Sequence, residues 1–180
     1  LWGGFYAGSD GYYLVEGQNN TAEDSSAEVI RVIRYDTNWN RNGAASITSN
    51  PDLFGGEVRY PFDYGCVEMT ETNGTLYIVT AHEGYVDPSV GQGHQGFLMI
   101  AVDQASMTGK IVRSDLWHSF AQYIKSNSSN LYVLEQSEGS RCTKLSRYDS
   151  TTLEKKTIEL LSYGGSRTSV WALPCYASVD

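Results

Sequence analysis

The sequence predicts an all-β, β-propeller-like fold: about three four-stranded antiparallel blades forming a segment of a larger or oligomer-completed propeller. Three observations predict it. Three short aromatic and β-branched segments resemble one another, at residues 11–15, 75–79 and 130–134, and each follows a turn signal. Each is followed by a second apolar run, at residues 29–36, 97–103 and 144–149, that ends in an aromatic residue or Val and then Asp. Helical periodicity is weak along the whole chain, and 18 of its 180 residues are glycine against 4 prolines. A β-sandwich assembled from the same strands is the alternative architecture.

The elements follow in order. The first unit starts with Gly4-Phe5-Tyr6-Ala7, turns through Ser9-Asp10-Gly11, and enters Tyr12-Tyr13-Leu14-Val15. In the second, the opening strand lies near residues 66–69 and the turn is Thr72-Asn73-Gly74. In the third, the opening strand spans residues 118–124 and the turn spans 126–129. Polar turns follow each Asp, and a last strand is clearest at residues 109–112 and 156–160. Four antiparallel strands per unit, repeated, is the pattern of propeller blades. The blades fall at approximately residues 4–60, 61–114 and 115–163 of a single domain or part of one spanning 1–180. Residues 164–180, with Ser169-Val170-Trp171-Ala172, read as the start of a further blade. Propellers typically close with about four to eight blades. Three units therefore imply further blades in the same or another chain.

Composition excludes several classes of function. The net charge of -8 leaves no basic face for phosphate contacts, so no nucleic acid is expected as a partner. No run approaches the roughly 18 apolar residues of a membrane helix, so no membrane span is expected. Aromatic content of 12% and charged content of 19% suit a packed core and not a solvated coil. Cys66, Cys142 and Cys175 are too far apart for a zinc knuckle or a redox pair, and they read as buried small hydrophobes or as one disulfide with a free thiol. The chain begins at Leu1 with no signal-peptide pattern, which points to processing, excision or partial representation. N-x-[ST] triplets at Asn19, Asn73 and Asn127 suit surface turns.

Several longer strings carry a resemblance. Residues 17–20 and 28–39, Pro61-Phe62-Asp63-Tyr64-Gly65, Leu76-Tyr77-Ile78-Val79-Thr80-Ala81-His82, Gly93-His94-Gln95 and His118-Ser119-Phe120-Ala121-Gln122 occur in this order. Together they resemble motifs of large secreted bacterial surface proteins with β-propeller-like repeats. The resemblance implies an extracytoplasmic, secreted or cell-surface location within a long multidomain chain. No catalytic residue carries over with it. Residues 136–141 lack the proline found in the family's acidic turn ahead of an arginine.

Two constellations could carry chemistry. His82, His94 and His118 each sit at a predicted strand-to-loop transition. Converging on one rim, they would suit a transition metal, with Glu83 or Asp87 as an oxygen ligand. As hydrogen-bonded structural residues they would only fix loops, and no resident cofactor is otherwise expected. The glycine-rich segment 83–93 reads as a long loop between the two middle strands of the second blade. It carries Glu83, Tyr85 and Asp87, and it should emerge from the same face as loop 17–27. These three residues, with Trp39 and Trp117 near other loops, are the expected ligand-binding residues. The expected function is non-catalytic binding of carbohydrate or protein. The alternative is a polysaccharide lyase or glycoside hydrolase using the histidines or strand carboxylates Glu16, Glu68, Glu135 and Glu138.

Overall fold

The structure, a computed structural model, describes residues 1–62, 67–87, 89, 91–116, 119–137 and 141–162. Among these residues there are thirteen strands and no helix. The strands form three antiparallel sheets, and none closes into a barrel. Trp117, His118 and the run 164–180 lie outside the described residues.

The first sheet is a simple meander of β1 (Trp2–Ala7), β2 (Tyr12–Gly17), β3 (Glu28–Tyr35) and β4 (Arg41–Thr48). The middle sheet contains β5 (Tyr60–Pro61), β6 (Glu68–Thr72), β7 (Thr75–Asp87), β8 (Gln92–Asp103) and β9 (Thr108–Asp115). Both β5 and β6 pair with β7, one beyond the other along the same strand. Together they act as one interrupted first strand. The third sheet repeats the meander with β10 (Ser119–Ser126), β11 (Asn130–Ser137), β12 (Cys142–Asp149) and β13 (Lys155–Ser162).

The alternation of side chains along each strand decides how the sheets stack. Leu76 and Ile78 of β7, with Leu98, Ile100 and Val102 of β8, face the first sheet. There they join Tyr13, Val15, Ile30, Val32, Ala45 and Ile47 in one core. Their neighbours Tyr77, Val79, Phe97 and Met99 point the opposite way, into a second core with Ile124, Leu131, Val133 and Tyr148 of the third sheet. The middle sheet is thus covered on both faces. Its strands are accordingly near-continuous apolar runs and not alternating ones.

Each sheet carries the same turn after its third strand. Asp36 accepts the amides of Asn38 and Asn40, Asp103 that of Ser106, and Asp149 those of Thr151 and Thr152. Each turn ends on an apolar residue in the left-handed region: Trp39 at φ 65°, Met107 at 51° and Leu153 at 57°. The three sheets therefore share the backbone conformation of this turn.

One element departs from the sequence expectation. Residues 83–93 are not a long loop. The strands run on to Asp87 and resume at Gln92, with a register shift between Glu83 and Val86. Cross-strand pairing prevails here over the glycines, and Gly93 leaves room for the Glu83 side chain beside it.

Candidate ligand-binding surface

The extended β7–β8 hairpin and the β2–β3 loop meet at one end of the stack, as their equivalent positions predict. Arg59 joins them. Its guanidinium pairs with Glu83 at 2.6 Å and lies 3.8 Å from Glu23, and it rests over the Tyr60 ring at 4.7 Å. The Val86 amide donates to the Glu23 carboxylate at 3.1 Å. The Asn20 amide donates to the Arg59 carbonyl at 2.8 Å. The Glu83 hydrogen bond pushes the Arg59 guanidinium still further toward its charged form. Sequence reading missed Arg59, because its partners lie far away in the chain on different sheets. Replacing Arg59 by Ala should speed hydrogen exchange at the Val86 and Asn20 amides and leave the amides of Ile78 and Ile100 protected.

The expected ligand-binding residues fall in different places. Glu83 is on β7, half-buried and paired with Arg59. Tyr85 lies two residues further on, its ring 4.7 Å from that of His94. Asp87 closes β7. Trp39 is not with them. It sits in the β3–β4 turn, at the opposite end of the strands, against Tyr12 at 4.2 Å and beside Phe5 at 6.4 Å. Trp117 lies outside the described residues.

His82 and His94 stand on the paired strands β7 and β8, and His118 is outside the described residues. His82 is fully enclosed, and its Nε2 donates to the Gly55 carbonyl at 2.8 Å. Burial lowers its pKa from the ordinary histidine value to about 4. The neutral imidazole holds the 50–56 loop against the end of the middle sheet. Gly96, opposite it on β8, must be glycine. A Cβ there would run into the Asp115 carbonyl and meet His82 Cε1 at 3.2 Å. Among the described residues no three His, Cys, Asp or Glu side chains gather as a metal-binding group.

Of the strand carboxylates, Glu16 is exposed and Glu138 lies outside the described residues. Burial raises the pKa of Glu68. Glu135 is the outlier. It points from β11 into the junction of the middle and third sheets, fully buried, with Lys144 Nζ at 3.4 Å. Burial raises its pKa, nearby Asp115 adds to the effect, and Lys144 opposes it. With Gln122 on β10 it forms a buried polar layer above the apolar core. Cys142, at the start of β12, is fully buried.

No known family model matches the chain, and no curated protein matches it.

Proposed function

We propose that the chain is a non-catalytic binding domain of a secreted or cell-surface protein, built of propeller-like blades. Its ligand, a carbohydrate or a protein, docks at the end of the stack where Glu83, Tyr85 and Asp87 lie. The observation that carries this reading is the joined pair of connections at that end. A hairpin rising from a sheet covered on both faces is held to its neighbour by Arg59, which makes a stiff support for a binding surface. The Tyr85 ring is partly exposed and tilted 38° against that of His94, and an aromatic ring so placed suits a sugar or an apolar side chain. Support for blades over a sandwich comes from the meander order of the sheets and from the turn they share. Support for a location outside the cytoplasm comes from the strings at residues 28–39 and 76–82.

A glycan and peptide array probed with the purified chain tests the reading. Hits are expected, and they should fall at least tenfold in affinity in Tyr85→Ala, while Trp39→Ala keeps them. Hits that ignore Tyr85 would move the site elsewhere. An array without hits would favour a purely structural role.

A further inference from the structure

The two junctions between sheets use the same components. At the first, the Gln104 side chain donates to the Tyr13 hydroxyl at 3.1 Å, and Arg34 donates to the Gln104 carbonyl. Met107, at the end of the same turn, packs over Gly43 and is buried to 7% exposure. At the second, the Tyr77 hydroxyl donates to the Ser150 carbonyl at 3.0 Å, and Arg113 donates to the Leu153 carbonyl at 2.8 Å. Leu153 packs on the second core. Gln104 and Ser150 occupy one position, the residue after the turn Asp. In both junctions the lower sheet supplies a Tyr from its second strand and an Arg, which is Arg34 on the third strand of the first sheet and Arg113 on the last strand of the middle sheet. The upper sheet supplies the Asp turn and its left-handed apolar residue.

Among the described residues, each end of the stack carries one half of this device. On the first sheet the turn residue Trp39 is 57% exposed where Met107 is 7%. Around it lies an outward face of Phe5, Tyr12, Leu14, Ile33 and Tyr35, with Phe5 and Tyr12 stacked at 5.9 Å. The equivalent positions of the other sheets, Leu76 and Ile78 or Leu131 and Val133, are fully buried against the preceding sheet. On the third sheet Tyr132 stands where Tyr13 and Tyr77 stand, and Arg147 stands where Arg34 does, exposed. Leu134, itself buried to 8% exposure, Leu145 and Ile158 stand in register as an apolar row beside them. Ile158 is 58% exposed.

We infer that the outer face of the first sheet docks a second copy of this chain through the outer face of that copy's third sheet. Tyr132 and Arg147 of one copy reach the turn after Asp36 of the other, and Trp39 packs over the β12–β13 side of the facing sheet, as Met107 packs over Gly43 of β4. The contact is head-to-tail, so two copies either close into a ring of six sheets or continue into a filament. This shares the blade-like repeat with the functional reading above but not its ligand site. The array and the mass measurement therefore fail independently.

Light scattering of the purified chain over a range of concentrations tests the inference. A dimer, or a mass that grows with concentration, is expected. Trp39→Asp and Tyr132→Asp should each yield a folded monomer, checked by circular dichroism. Each variant retains the intact face that the other lacks, so an equimolar mixture should regain a species of twice the monomer mass. A wild-type monomer up to millimolar concentration would overturn the inference. So would an oligomer unchanged in Trp39→Asp, or a mixture that stays monomeric. A monomer whose Trp39 fluorescence, taken as the difference from Trp39→Asp, responds to soluble oligosaccharides would assign the face to sugar instead.

Discussion

Acidification from pH 6.5 to pH 4 should remove about 3 kcal/mol of folding stability through His82 alone. In the folded protein the imidazole is enclosed, stays neutral, and takes up a proton only near pH 4. In the unfolded chain it is protonated below the ordinary histidine value near 6.5. Across that window the unfolded state binds more protons, so stability falls as the pH falls. Above the window the imidazole is neutral in both states and contributes no pH dependence. Below about pH 4 the loss is complete. Urea denaturation at a series of pH values measures it. His82→Gln keeps an amide nitrogen for the Gly55 carbonyl and cannot titrate. Its stability should be flatter than wild type between these limits, and equal slopes would show that His82 is not enclosed as described.

Ile100→Ala should lose about 2–5 kcal/mol, close to the largest single-residue cost the fold can show. Ile100 is fully buried at the centre of β8, paired with Ile78 on one side and Ile111 on the other. The middle sheet is fixed on both faces, so the walls of the cavity have little freedom to collapse. Ile158→Ala removes the same atoms from an exposed position on β13 and, at dilutions where the chain is monomeric, should change stability by less than about 0.5 kcal/mol. Chemical denaturation of both variants measures the difference. Comparable losses would place β13 inside a core.

What the sequence revealed follows from where its signal is local. β2, β7 and β11 were legible because aromatic and β-branched residues behind a turn say strand by themselves. β4 was not, since Arg41-Asn42-Gly43-Ala44-Ala45-Ser46-Ile47-Thr48 has little strand preference. Pairing with β3 and burial of Ala45 and Ile47 make it a strand. The same holds for residues 83–87, where glycine and charge read as a loop and a long-range hairpin overrides them. His82 was picked out as a chemical group, but its enclosure depends on the distant Gly55 carbonyl. Arg59 was overlooked for a similar reason. The match between Trp39, Met107 and Leu153 was hidden because the residues differ and the turns vary by one residue in length. Only the shared backbone angle reveals it.

The middle sheet has a core on each face, and this gives the molecule a mechanical grain. Opening it exposes both cores at once, whereas peeling away an end sheet exposes one. The stack thus behaves as a short row of units coupled to their nearest neighbours, with the interior the stiffest link and the ends the first to fray. The end that carries Glu83 and Tyr85, rooted in β7 and β8, is anchored in that stiff link.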